Sequence, residues 1–400
     1  MADMTLAGRA SRGDAANRRA GETAAPIPPS LVPLTAVPVE AWGALACRAI
    51  EPNGYYLPEW ELAVNATATG HGGNSALCAW SDASPSATLI GLVPAIPMRR
   101  AYGIPLPALV SGHPYGTLCT PLLDRDRAAA AAALLLRAAR DAGARALILR
   151  DVPIDGATMC SFSEVLRREC LRPRVLQTHL RACLDATREP DQLLHEALGG
   201  KKLKELRRQR NRLAEHGVIA FEVARTPSEV EAATETFLAL ESSGWKGARG
   251  TALAQTDGDA AFIRRATTAL AATGQCEIVT LRAGSAPVAS GVVLRHQDRA
   301  FYFKLGVDER FAKFSPGVQL TLELTRHLCS DPEIASADST AAPDHPMINP
   351  IWRGRFAIGD VLIPLRKNDP VVPLIETALR FRIAALSVAR HGVHMIRRGR

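Results

Sequence analysis

At 400 residues the chain exceeds what one hydrophobic core usually supports, and its 47% hydrophobic content can fill two. The longest Ala/Leu run, 128–136, falls short of the roughly 20 apolar residues that cross a bilayer. The first 25 residues hold no continuous apolar stretch, so neither a spanning segment nor a secretory signal is expected and the expected location is cytoplasmic. The net charge of +8 is concentrated: residues 201–213 and 366–400 carry +6 each, leaving −4 for the rest, a distribution that suits an anionic ligand or surface.

Residues 1–38, rich in Ala, Arg, Gly and Pro and ending in PIPPSLVPLTAVP, predict an extended arm outside the fold. From 39 to 198 helical and strand patterns alternate: helix over 39–50, strand 89–98, helix 125–142, strand 146–152, helix near 161–169 and strand 175–184. The eight cysteines form no CxxC pair and no cluster at metal-ligand spacing, so no metal site is expected.

A second unit, 199–365, follows the basic helix 201–213. Leu203, Leu206 and Leu213 on one face of that helix allow docking with the cations outward. Pro227 starts a helix to 240, the glycine-rich ESSGWKGARGT breaks it, and a helix over 257–272 leads into three strands at 276–284, 287–297 and 300–308. The loop ERFAKFSPG precedes a helix from Pro316 to Cys329. There Ser315 is suited to cap the first turn, and Pro316 to occupy its first position. A strand at 334–339, a helical turn at 344–352 and a strand pair around FAIGDVLIPL close the unit. Residues 366–400 predict one or two basic helices, a tail able to contact a membrane surface.

This element order, together with LRRQRNRLAEHG (206–217), LESSGWKG (240–247), FYFKLGVDERFAKFSPGVQL (301–320) and the turn containing Trp352, resembles the acetyltransferase domain of the CelD and BioF2-like group. That group is a GNAT branch related to the Fem peptidyltransferases. The resemblance implies an α/β fold, with a diverged GNAT-like unit at 39–198 and an acyltransferase domain at 199–365. The implied activity is transfer of an acyl group from acetyl-CoA or another acyl-CoA to an amine or hydroxyl of a small-molecule or saccharide acceptor, in polysaccharide or cell-envelope metabolism. Two other readings stay open: a Fem-like transferase using aminoacyl-tRNA, and a non-catalytic scaffold. The chain departs from the family in lacking the Arg/Gln-xxGxG phosphate signature and in carrying ADSTAAPDHPMINPIW after its fifth strand.

The resemblance assigns donor contacts to Phe314, Ser315, Gly317 and Val318, at a helix start whose amides and dipole favour an anion. Lys304, among Phe301, Phe303 and Leu305, needs an anionic partner, either Asp338 or a ligand group. Acyl transfer requires a base, for which Asp338, Asp344 and His345 are candidates at the end of the fifth strand, although DHP also reads as a helix cap. Trp245 and Lys246, between glycines, suit an acceptor wall or, for the tryptophan, a core plug; Trp352 is the remaining candidate acceptor contact.

Overall fold

The computed structural model describes residues 31–82, 87–244, 250 and 252–398. Trp245, Lys246 and residues 1–30 lie outside these. The first half contributes β1 (Leu31–Pro33), β2 (Ser75–Trp80), β3 (Leu89–Pro97), β4 (Ala108–Ser111), β5 (Leu122–Leu123), β6 (Ala146–Pro153) and β7 (Arg174–Asp185). The second contributes β8 (Ile219–Ala224), β9 (Cys276–Ala283), β10 (Ala286–His296), β11 (Arg299–Val307), β12 (Ser336–Asp338) and β13 (Gly354–Pro364). All join one sheet in the order β1-β2-β3-β4-β6-β13-β7-β12-β11-β10-β9-β8, with β5 added beside β3.

Both halves follow one plan. An antiparallel meander ends in a parallel pair, β4 with β6 and β11 with β12, and every other pairing is antiparallel. The last strand of each half then crosses to the other. β13 lies against β6 of the first half, from Ile358 opposite Pro153 to Pro364 opposite Ala146, and β7 lies against β12 of the second, with Leu184 opposite Ala337. β7 and β13 pair with each other in the centre. The strand pair expected around 355–365 is thus one strand, and it completes the sheet of the first half.

The arm expected over 1–38 gives way to packed structure at its end: Leu31–Pro33 pairs with β2, and Leu34 and Val37 are buried in the core. Proline does not prevent this because β1 is an edge strand, where a missing N–H costs no ladder bond. Sequence periodicity also misses the helix Pro58–Thr67, the strand β8 and the joining of the basic helix to residues 190–198. The helix Pro190–Leu213 continues through a break at Gly199, whose φ of 73° only glycine adopts readily. The tail is one helix, Val371–Arg398.

The largest core runs through both halves. Tyr55 and Trp60 meet Phe301, Phe303 and Phe262 edge-on or tilted at ring separations of 4.9–6.1 Å. A buried polar contact reinforces the seam. The Asn53 amide donates to Nδ1 of His296 at 2.8 Å, and Nε2, which must then carry the proton, donates to the Ala46 carbonyl at 3.0 Å.

Burial pushes the His296 pKa down to about 4, whereas the unfolded chain titrates near 6.5. Between these values the unfolded state binds the extra proton, so this histidine removes stability as pH falls from about 6.5 to about 4, by on the order of 3 kcal/mol. Burial lowers His113 to about 4 as well, adding to the same slope. Urea denaturation should show His296→Asn to be less stable than the parent at pH 7, with a smaller further loss on acidification to pH 4.5. Equal losses in the two proteins would contradict this assignment.

Candidate functional site

Strands β11 and β12 pair only over Arg299–Phe301 opposite Ser336–Asp338. Among the described strands, β11 then runs on to Val307 against β10, so the sheet parts from β12 on its other side from Tyr302 onward. Thr340 marks the split: with φ of 48° it turns the chain away, and its hydroxyl donates to the Tyr302 carbonyl at 2.6 Å. The opening is a cavity of about 570 Å³. Leu305, Val307, Val318, Met347 and Ile348 form its apolar wall, Lys304 and His345 its titratable groups, and Ser315 to Val318 its end.

That end is the start of the helix Pro316–Ser330. Ser315 does not cap it; the residue is left-handed at φ 53°, ψ 52°, and its hydroxyl makes no bond to the first turn. A capping hydroxyl works from an extended backbone, which explains the failed expectation. The Gln319 amide bonds the Ser315 carbonyl at 3.0 Å, Pro316 has no donor, and among the described residues no side chain caps the amides of Gly317 and Val318 at the cavity. Glycine at 317 is dictated by space: a Cβ there would lie 3.0 Å from Leu305 Cδ2 and 3.3 Å from both Met347 Sδ and Val307 Cγ1. Phe314 is buried in the core behind this end, against the His216 ring.

The charged candidates have partners. Lys304 Nζ donates to Glu241 Oε1 at 3.2 Å, so its partner is Glu241 rather than Asp338. Glu241 is fully buried, and its other oxygen accepts from the Leu253 amide at 3.0 Å. Asp338 is 1% exposed, as is Arg181, whose Nη1 reaches it at 3.2 Å. The other Asp338 oxygen accepts the Thr340 amide at 2.7 Å, while Arg181 Nη2 donates to the Thr117 carbonyl of the first half at 2.7 Å. His345 Nδ1 accepts the Met347 amide at 3.3 Å, so in the neutral ring Nε2 bears the proton and can donate but not accept. Asp344 is exposed, and Trp352 is fully buried with Nε1 donating to Thr325 at 2.9 Å, away from the cavity. The structure therefore brings Lys304, Ser315, Gly317, Val318 and His345 together and leaves Asp338, Phe314 and Trp352 in the supporting core.

Sequence reasoning missed the first half's share. Tyr115, at φ 56° in the loop after β4, donates its hydroxyl to Asp259 at 2.8 Å, and its ring centre lies 5.9 Å from Lys304 Nζ. Burial and the Asp259 carboxylate raise the Tyr115 pKa, keeping it a neutral donor. No local signal in HPYGT marks this contact, because its partner is 144 residues away. In the first half the same loop reaches back to β6, where the Cys119 amide donates to the Asp151 carbonyl, and Arg150 of β6 bonds Ser111 of β4 through its amide and guanidinium.

The basic helix docks as its leucines imply. Leu206 and Leu213 are buried, and Gln319 Nε2 donates to the Leu206 carbonyl at 2.8 Å. Lys201, Lys204, Arg207, Arg208 and Arg212 are exposed. The helix packs against the short helix Glu309–Phe314, which leads into the cavity end.

Residues 200–344 match the family described as acetyltransferase (GNAT) domain. No curated protein matches the chain in sequence. Among solved structures, FemX superposes with a TM-score of 0.54 at 11% identity, covering 85% of this chain and 98% of that one. The C-terminal domain of a putative lysylphosphatidylglycerol synthetase from Agrobacterium fabrum superposes at 0.51 and 15%, covering 85% and 96%. A conserved protein of unknown function from Bacteroides thetaiotaomicron gives 0.50 and 11%, covering 82% and 98%. At such identities the likeness is one of fold. The chain thus has a mixed α/β, GNAT-like fold, with a match to the GNAT domain family over residues 200–344.

The buried Arg181–Asp338 pair beneath the cavity yields a stability test. Removing one member, as in Asp338→Ala, strands a buried charge and should cost about 3–5 kcal/mol. Arg181→Met combined with Asp338→Leu should recover most of that loss in urea denaturation. A double variant no more stable than the single one would show the pair to be intrinsically stabilising.

Proposed function

We propose that the chain transfers an acyl group from acetyl-CoA or another acyl-CoA to an amine or hydroxyl of a small-molecule or saccharide acceptor, as its CelD and BioF2-like resemblance implies. The observation that supports this best is the opening between β11 and β12. It offers the amides of a helix start for a pyrophosphate at one end and an apolar wall along its side for a pantetheine arm and acyl chain. The glycine-rich signature is not needed for such a site, since backbone N–H groups and the helix dipole supply the attraction and Gly317 keeps the turn close to the strand.

In this reading the acceptor approaches from the side where Lys304, Glu241, Tyr115 and Asp259 meet. Its nitrogen or oxygen attacks the thioester carbonyl carbon, the C–S bond breaks, and the proton lost by the nucleophile is balanced by the one gained by the departing thiolate. Lys304, held by Glu241, is the cation available to negative charge developing on the carbonyl oxygen. Nε2–H of His345 is a donor suited to the leaving sulfur. Trp245 and Lys246 are proposed acceptor contacts, as the sequence implies.

A second reading, an aminoacyl-tRNA donor, is favoured by one observation: the exposed cations of the basic helix stand beside the loop that enters the cavity. A scaffold that binds neither donor is the third. Thermal shift with acetyl-CoA, longer acyl-CoA and tRNA separates them, because a ligand of the folded state raises Tm with its concentration. Acyl-CoA should stabilise the protein, and tRNA should not. Stabilisation by tRNA at low salt, abolished when Lys201, Lys204, Arg207 and Arg208 become Gln, would instead establish the second reading. Gly317→Val should push Leu305 and Met347 into the cavity and weaken acetyl-CoA binding about ten- to a hundredfold by calorimetry. If that variant melts normally and binds like the parent, the donor site is elsewhere.

A further inference from the structure

The helix Val371–Arg398 has an inner and an outer apolar line. The inner residues Val372, Ile375 and Leu379 are buried against Met98, Val110, Ile148 and Leu362. The outer line is Leu374, Phe381 and Val388, which are 60%, 76% and 73% exposed. These three recur every seven residues, so each lies within about 20° of the last around the helix axis. The three therefore form one line along the helix, spanning about four turns.

Cations border the ridge on both sides. Arg380 and Arg382 stand one position before and after Phe381, about 100° to either side of it. The Arg380 guanidinium is held by Glu376 and by the Val175 carbonyl, and that of Arg382 stacks 4.4 Å over the Tyr102 ring, so both charged heads are fixed beside the ridge. Val175 of β7, itself 42% exposed, extends the apolar surface beside the helix. Over residues 366–400 the sequence carries eight Lys/Arg against Asp369 and Glu376.

An occupant must accept both an apolar ridge and a positive border. A second copy of this chain would bring the same positive charge to the contact, and a nucleic acid has no use for an exposed Phe–Val line. The helix is not apolar enough to cross a membrane. We infer that this helix docks the protein onto an anionic bilayer surface, with Leu374, Phe381 and Val388 entering the headgroup–acyl boundary and the arginines meeting lipid phosphates.

Co-sedimentation of the full chain with vesicles tests this. Vesicles of phosphatidylglycerol and phosphatidylcholine should capture the protein, phosphatidylcholine alone at least tenfold less, and 0.5 M salt should weaken capture. Phe381→Glu should lower binding to the anionic vesicles at least tenfold with Tm unchanged, since the ring is exposed; Val388→Glu is a second variant of the same kind. Arg380→Gln with Arg382→Gln should reduce the preference for anionic lipid. Failure of the parent to bind either vesicle overturns the inference, as does parental binding by both glutamate variants. So does an oligomeric parent that becomes monomeric in Phe381→Glu without ever binding vesicles. None of these outcomes depends on donor binding.

Discussion

The ion pair between Arg181 and Asp338 holds the molecule at the point where its halves cross. Arg181 belongs to β7 of the first half, Asp338 ends β12 of the second, and the guanidinium also bonds the Thr117 carbonyl in the loop of the first half. Two charges are expensive to bury, and hydrogen bonds on both sides offset part of that cost. The geometry this enforces has a direct result. With Asp338 fixed to Arg181 and to the Thr340 amide, the chain leaves β12 after three residues, and from Tyr302 to Val307 β11 keeps its pairing with β10 but no longer pairs with β12.

The two halves share a plan but differ in what fills the split between their parallel strands. In the first, the loop after β4 bonds β6 through Cys119 and Asp151, and Arg150 of β6 bonds Ser111 at the end of β4. In the second, the chain after β12 swings outward and the space remains a cavity. The loop after β4 also sends Tyr115 to Asp259 and its ring to Lys304, so the first half packs against a residue that lines the open site. Exchange of β7 and β13 makes this arrangement hard to separate into independent parts, because each half's sheet contains a strand supplied by the other.

Much of the second half was legible locally. Helix starts at Pro227 and Pro316, hairpin turns between β9, β10 and β11, and the docking face of the basic helix depend on residues a few positions apart, and they appear where proline, glycine and leucine spacing put them. The positions of Gly317, Val318, Lys304 and His345 around one cavity follow from that order. Local pattern failed where a backbone dihedral or a distant partner decided the outcome. Ser315 has the right chemistry for a cap and the wrong backbone, and Lys304 found Glu241 on a packed helix instead of Asp338 on the adjacent strand.

The sequence by itself determined the alternation of elements, the charge-rich helices, and the glycine and proline that shape the cavity end, because each follows from propensities read over a few residues. The exchange of β7 and β13, the burial of Leu34 beside an edge strand, the pairing of Arg181 with Asp338 and of Tyr115 with Asp259, and the opening beside β12 were set by the assembled fold. These join groups far apart in the chain, by 40 residues for Leu34 with Asn74 near β2 and by 223 for Thr117 with Thr340 at the split. Such contacts are selected by the burial and hydrogen-bond satisfaction of the whole core, a balance no local window contains.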